Sequence, residues 1–131
     1  MGRTANKQTQ PQPIEPFEAV EVAVRAAAEK KATDIVALDL RQVASFTEYF
    51  LICSGGNSRQ VQAISNSVEE ELRKARKRPL HIEGYSTGEW ILLDYGDFIV
   101  HIFSNTARRF YDLERLWRDA GRVKLLEEPG A

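Results

Sequence analysis

The chain has very little cysteine and no long apolar run. Cys53 is the only cysteine among 131 residues, which excludes an intramolecular disulfide and suits a protein kept in a reducing compartment. No apolar run is long enough to span a bilayer, and the N-terminal residues lack the apolar core of a signal peptide. We therefore expect a cytoplasmic protein whose single domain buries a core without disulfides or metal ions.

Positive charge is absent from one long stretch of the chain. The net charge is −1, so the field of the whole molecule neither requires nor excludes a nucleic-acid partner. Between Pro79 and Thr106 there is no lysine or arginine. This stretch instead contains the acids Glu83, Glu89, Asp94 and Asp97 and the aromatics Tyr85, Trp90 and Tyr95. Large aromatic side chains anchor interfaces and surrounding acids select a basic partner, but a buried Trp90 with acids that solvate turns fits the pattern equally well.

The apolar pattern predicts the element order α-β-β-α-β-β-β-α. The predicted helices begin near Pro16, at Asn57 or Ser58, and after Ser104, and the predicted strands cover residues 35–40, 49–53, 80–83, 90–93 and 98–103. The first two strands are continuous apolar runs, which are typical of strands buried on both faces. We therefore expect an α/β fold with a mixed central sheet of about five strands flanked by helices. Residues 1–15 and 122–131 are predicted tails, the first of them disordered, around one domain at residues 16–121.

The last predicted helix is expected to run without interruption to Gly121. Phe110, Leu113 and Trp117 recur at helical spacing and should share its inner face. Glu114 and Arg118 are four residues apart, which predicts a supporting ion pair on the outer face.

A basic run lies at the end of the second predicted helix. It consists of Arg73, Lys74, Arg76, Lys77 and Arg78. Cations at this end complement the helix dipole and are commonly just solvated. The functional alternative is a sequence-independent contact with an RNA backbone, because clustered cations release condensed counterions.

The Gly55–Gly56 turn is the one place where a phosphate could be cradled. It joins a predicted strand to a helix N-terminus, where backbone N–H groups attract anions. It lacks the lysine and spacing of a P-loop, so a tight turn capped by Asn57 and Gln60 is favoured. Asp94 and Asp97 flank a predicted hairpin turn and would hardly converge on one ion, as the acids of a nucleotidyltransferase do. No metal, cofactor or catalytic site is predicted.

Several segments together closely resemble one known family. They are Trp90 to Phe103 (WILLDYGDFIVHIF), Arg109 to Trp117 (RFYDLERLW), Asp34 to Leu40 (DIVALDL) and Thr47 to Gly55 (TEYFLICSG). The combination resembles the ribosomal silencing factor family, RsfS, also called the Iojap family. The resemblance covers roughly Phe17 to Gly121.

This resemblance implies a nucleotidyltransferase-like fold that has lost catalysis. It implies a translational repressor that binds the large ribosomal subunit through ribosomal protein L-fourteen and blocks joining of the small subunit, mainly under nutrient limitation. Organelle relatives are linked to large-subunit assembly, so an assembly factor with an auxiliary rRNA contact is the alternative, and a nucleotidyltransferase is a weaker one. Family members are often homodimers.

Matching the family motif position by position assigns roles to several residues. Trp90 and Tyr95 are candidate anchors, and Tyr85 belongs to the same candidate surface. Glu83, Asp94 and Asp97 are candidate partners for lysine or arginine on the ribosomal protein, although Asp94 or Asp97 would alternatively serve only the turn. Arg109 and Tyr111 are expected to shape the adjacent helix surface, with Phe110 and Trp117 in the core.

Overall fold

The computed structural model describes residues 14–125. Nearly all of the predicted N-terminal tail therefore lies outside the described residues. The helices are α1 (Pro16–Glu29), α2 (Ser58–Lys74), α3 (Asn105–Tyr111) and α4 (Leu113–Leu116). The strands are β1 (Thr33–Asp39), β2 (Tyr49–Gly55), β3 (His81–Glu83), β4 (Trp90–Asp94), β5 (Phe98–Ser104) and β6 (Gly121–Val123). None of the helices in this part of the chain is long and apolar enough to cross a membrane.

The strands form one mixed sheet in the order β3-β4-β5-β2-β1-β6. The central pair, β2 and β5, is parallel, and the neighbouring pairs are antiparallel. Every residue of β2 and of β5 is buried, as expected for strands covered on both faces. The predicted mixed sheet flanked by helices is confirmed, with six strands rather than about five.

The main core lies between one face of the sheet and the helices α1 and α2. Small side chains of α1, such as Ala19, Ala23 and Ala27, are buried there together with the apolar stripe of α2. Because alanine allows close approach, the two helices also contact each other directly, and the Ser67 hydroxyl donates to the Ala26 carbonyl at 3.0 Å. Cys53 is fully buried in this core, and burial raises the pKa of its thiol to about 12.

The predicted last helix is broken in two. Asp112 has φ 47° and ψ 52°, a left-handed conformation that interrupts the helix between α3 and α4. Aspartate tolerates this conformation better than most residues. The break changes the direction of the chain, so Phe110 is 77% exposed rather than inward-facing, while Leu113 is buried. The predicted Glu114–Arg118 pair does not form, because Glu114 binds Arg108 instead.

The sheet continues beyond residue 121, where the sequence predicted a C-terminal tail. β6 pairs with β1, with Ala37 opposite Val123 and Leu38 opposite Arg122. Val123 packs against the main core, and Leu125 is buried in it. A strand of three residues with two exposed positions carries no detectable alternation in sequence, which is why the pattern did not predict it.

Candidate partner-binding surface

The second face of the sheet is only partly covered. The strand register places Trp90 and Leu92 of β4 on this face, opposite Phe103 and His101 of β5. The short helices α3 and α4 cover one part of it through Ala107 and Leu113, as does Trp117. Trp90 and Leu92 remain partly exposed. Trp90 and Leu92 therefore leave accessible apolar surface on the side of the sheet away from α1 and α2.

A series of touching rings crosses this second face. We call it the aromatic ribbon, and its members are Phe46, Phe50, Trp90, His101, Phe103, Phe110, Tyr111 and Trp117. The Trp90 ring lies 4.7 Å from the Tyr111 ring and 4.9 Å from the Phe103 ring, measured between centroids. The middle of the ribbon is buried, whereas Tyr111 is 49% exposed and Phe46 is 58% exposed. A partner can therefore contact the ribbon at its ends without opening the core.

Trp90 is held in place by a buried histidine. Its indole Nε1–H donates to Nδ1 of His101 at 3.1 Å. Burial lowers the pKa of His101 to about 3, so the ring is neutral and its Nδ1 is available as an acceptor. Its Nε2 is buried without a hydrogen-bond partner among the described residues. A lone histidine within an apolar strand is predicted to be a partly buried strand residue rather than a metal ligand. The pattern gives no sign of its hydrogen bond to the Trp90 indole.

Two of the predicted acids lie on the same face as Trp90. Glu83 is exposed on β3 opposite Leu92, and Asp94 at the end of β4 lies opposite His81. One carboxylate oxygen of Asp94 accepts from the Gly96 N–H at 2.8 Å, which leaves the other available. Asp97 is exposed in the β4–β5 turn. Asp94 thus fulfils the predicted turn role and still presents one oxygen to a partner.

Tyr95 is buried, contrary to its predicted role as an anchor. It is only 7% exposed and packs into the main core, on the opposite side of the sheet from Trp90. Its ring stacks on Phe98 with centroids 4.8 Å apart, and burial raises the pKa of its hydroxyl. Tyr95 continues the alternation of β4: it faces the main core as Ile91 and Leu93 do, whereas Trp90 faces the other side of the sheet. Tyr95 is therefore inaccessible to a partner.

Tyr85 is exposed but separate from the aromatic ribbon. It lies in the loop between β3 and β4 and is 41% exposed. Its carbonyl accepts from the Gln62 side chain of α2 at 2.7 Å, so the loop is tied to the helix layer. Among the described residues Tyr85 makes no ring contact with the ribbon. Its predicted contact with a partner stays a prediction.

Arg108 positions α3 and α4 against the sheet. Its guanidinium makes two hydrogen bonds of 2.9 Å to the Glu114 carboxylate and one of 2.7 Å to the Ser54 hydroxyl on β2. The hydrogen bond from Arg108 holds the pKa of Glu114 below its usual range. This bridge fixes the turn that places Tyr111 on Trp90. Neighbouring Arg109 is exposed, as its predicted place on the helix surface requires.

The predicted basic run lies on the other side of the sheet, at the end of α2. Arg73 and Lys74 are partly neutralised by ion pairs of 2.7 Å to Glu70 and 3.1 Å to Glu71. The remaining cations, Arg76, Lys77 and Arg78, form no ion pair with a described residue. Among the described residues, these three therefore leave unpaired positive charge at the end of α2, on the opposite side of the sheet from the aromatic ribbon.

Two backbone N–H groups at the glycine turn before α2 donate to nearby side chains. The Gln60 side chain accepts from the Gly56 N–H at 2.7 Å, and the Asn57 side chain accepts from the Gln60 N–H at 2.8 Å. The loop before β4 also packs on this helix start, since a Cβ at Gly88 would lie 2.8 Å from the Ser58 Cβ. The favoured interpretation as a capped turn is thus confirmed. Across residues 14–125 no group of three or more His, Cys, Asp or Glu side chains could hold a metal ion.

This fold, with a half-exposed aromatic surface edged by acids, is typical of an α/β domain that binds another macromolecule. A family model described as "Ribosomal silencing factor during starvation" matches residues 13–130, and the chain belongs to this family. The predicted family resemblance is therefore confirmed.

Individual relatives agree with the family match. The chain is 38% identical over 108 residues to the ribosomal silencing factor RsfS of Halalkalibacterium halodurans, a match that covers 82% of this chain and 92% of that protein. A crystal structure of a protein from Chromobacterium violaceum is similar with a TM-score of 0.78 and 32% identity, covering 89% of this chain and 97% of that one. The mouse protein named "Mitochondrial assembly of ribosomal large subunit protein 1" is 29% identical over 101 residues, or 75% of this chain and 44% of its own length.

Proposed function

We propose that this chain is a non-enzymatic ribosome-binding protein that silences translation in the cytoplasm. In this proposal it binds the large ribosomal subunit through ribosomal protein L-fourteen and prevents the small subunit from joining. Membership of the silencing-factor family supports a role at the ribosome. The observation that carries the proposed docking site is the contact between Trp90 and Tyr111, 4.7 Å between centroids, at an accessible surface.

The chemistry of the Trp90 face suits a basic protein partner. Trp90 and Tyr111 offer large, rigid rings that bury much area at little entropic cost. His101 fixes the indole before binding, so less conformational entropy is lost on docking. Glu83 and Asp94 lie on the same face and can accept from lysine or arginine. Such acids raise the association rate and reject acidic surfaces.

A bound protein of this size would act by occupying the subunit interface. No catalytic step is needed, since joining is suppressed whenever the bound fraction of large subunits is high. Silencing under nutrient limitation then requires only a change in the relative amounts of this protein and of free subunits.

The second candidate function is a role in large-subunit assembly. The name of the mouse relative supports it. An assembly factor would use the same docking face but would not need to block joining, and the α2 cations Arg76 and Arg78 would supply an auxiliary rRNA contact. A nucleotidyltransferase receives less support, because two N–H groups at its candidate phosphate turn, those of Gly56 and Gln60, already donate to nearby side chains.

Tyr111→Ala tests the docking face directly. Tyr111 is 49% exposed, so its truncation should leave folding intact while removing one half of the ring pair. We expect binding to purified large subunits to weaken by about 2 kcal/mol, the size of an interface hot spot. Leu80→Ala is a matched control, because Leu80 is 69% exposed and lies outside the aromatic ribbon.

The affinities are measured by cosedimentation after circular dichroism has shown that both variants are folded. The proposal predicts that Leu80→Ala binds like the parent protein. Equal affinity of Tyr111→Ala and the parent protein would remove Tyr111 from the docking face.

A further inference from the structure

The outer surface of α3 and α4 is rich in arginine. Four arginines and no lysine occur between Asn105 and Ala120. Arg108 is bound internally by Glu114 and Ser54, but Arg109, Arg115 and Arg118 are exposed. Within residues 14–125 these three form no ion pair. Their guanidinium groups are therefore available to an external partner.

These arginines line one open groove. Phe110 and Leu116 lie between them and are 77% and 75% exposed. Two acids, Asp112 and Asp119, also line the groove, so the positive charges remain in excess. We name Arg109, Arg115 and Arg118 with Phe110 and Leu116 the arginine groove.

The residue types of the arginine groove match an RNA backbone. A planar guanidinium binds a phosphate through two parallel hydrogen bonds, which the ammonium of lysine cannot do. An exposed aromatic ring beside arginines offers a stacking platform for a base. An acidic protein partner would find the same charges, but on the large subunit phosphate is the abundant anion.

The arginine groove lies next to the face of the sheet that contains Trp90. Tyr111 lines the groove and also contacts the Trp90 ring. The groove therefore adjoins the proposed docking face. The α2 cations lie across the sheet, because α2 packs on its opposite face. When Trp90 contacts the ribosomal protein, the arginine groove is thus the nearer cationic surface.

We infer that the arginine groove binds ribosomal RNA phosphates next to the protein contact made by Trp90 and Tyr111. This inference rests on the proposed docking to the large subunit. It replaces the α2 run by the α3–α4 surface as the site of RNA contact, and it makes Arg109 a phosphate ligand.

The test compares two double variants with the parent protein. Arg115→Gln with Arg118→Gln removes two groove charges and leaves the aromatic ribbon unchanged. Arg25→Gln with Arg59→Gln removes two exposed charges on α1 and α2. Affinity for purified large subunits is measured at several salt concentrations, and affinity for isolated ribosomal protein L-fourteen is measured in parallel.

The groove variant should bind the subunit more weakly, and the slope of log affinity against log salt concentration should shrink by about 2, since each removed arginine leaves one phosphate unbound. Its affinity for the isolated ribosomal protein should equal that of the parent, and the α1/α2 variant should match the parent in both assays.

An unchanged salt slope in the groove variant would overturn the inference, as would a smaller slope found only in Arg76→Gln with Arg78→Gln. If the groove variant bound the isolated ribosomal protein more weakly too, the arginines would belong to the protein interface. Failure of the parent protein to bind subunits at all would instead defeat the proposed function.

Discussion

At the scale of single residues, His101 decides how Trp90 is presented. The imidazole is 3% exposed and accepts a hydrogen bond from the indole N–H, so its Nδ1 must carry no proton. An apolar residue at this position would leave the indole N–H without its partner, and an unpaired buried donor costs about 1–3 kcal/mol. Trp90 thus depends on a residue that is itself buried in the sheet.

The lowered pKa of His101 makes folding stability depend on pH. Burial holds its pKa at about 3 in the folded state, against about 6.5 in the unfolded chain. As the pH falls below about 6.5, the unfolded state gains a proton that the folded state refuses, so stability should drop by about 1.4 kcal/mol per pH unit. His101→Gln should lose less stability than the parent protein between pH 7 and pH 5, by about 2 kcal/mol.

Urea unfolding at pH 7, 6 and 5 gives the free energy of unfolding of each protein, and the two are compared by the slope of this free energy against pH. That slope is independent of any constant destabilisation that glutamine itself causes. Parallel pH dependences in the two proteins would show that His101 does not titrate in this way.

Residue roles were harder to predict than residue positions. The sequence placed Trp90, Asp94 and Tyr95 in one hairpin, and the structure agrees. Alternation along β4 correctly groups Trp90 with Asp94. It also places Tyr95 on the opposite face, where Tyr95 is buried in the main core. The anchor role that the family resemblance implied for Tyr95 therefore conflicts with the alternation of the strand, which the sequence itself contains.

At the scale of elements, the break between α3 and α4 creates the exposed aromatic surface around Phe110 and Tyr111. A continuous helix would have buried Phe110, whereas the left-handed Asp112 leaves Phe110 exposed beside Tyr111. The bridge from Arg108 to Glu114 closes this turn, with side-chain exposures of 11% and 22%. Removing one partner of an ion pair shielded to this degree costs more folding stability than removing one partner of a pair on an open surface.

Glu114→Gln should therefore destabilise the protein. It leaves the Arg108 guanidinium largely buried without its charged partner, at a cost of about 2 kcal/mol. The matched control is Glu71→Gln, whose ion pair with Lys74 is exposed and contributes about 0.5 kcal/mol or less. Unfolding in urea at pH 7 gives both values. Equal losses in the two variants would mean that the bridge does not hold the two short helices.

Most elements were predictable because local rules determine them. Pro16 begins α1 and Asn57 caps α2, each as the pattern predicts, and the predicted turn between Asp94 and Asp97 contains Gly96 at φ 86°. The helix break was not predictable, since it depends on Arg108 reaching both Glu114 and Ser54, and Ser54 is distant in sequence. β6 depends likewise on pairing with β1 rather than on its own pattern.

At the scale of the whole molecule, the two faces of the sheet are used differently. α1 and α2 cover one face with a continuous apolar core, and the short α3 and α4 cover only part of the other. The acid-bearing hairpin and the arginine groove therefore flank the same aromatic ribbon. A net charge of −1 conceals this separation, which suits a binding site where a basic protein and RNA meet.

Subunit joining in sucrose gradients tests the central claim most directly. Purified large and small subunits are mixed with the parent protein or with Tyr111→Ala, and each fraction is probed for the protein. We expect the parent protein to sediment with the large subunit and the joined-ribosome peak to disappear, whereas Tyr111→Ala should restore that peak. A parent protein that sediments with the large subunit while joining proceeds normally would contradict the steric block and favour the assembly role.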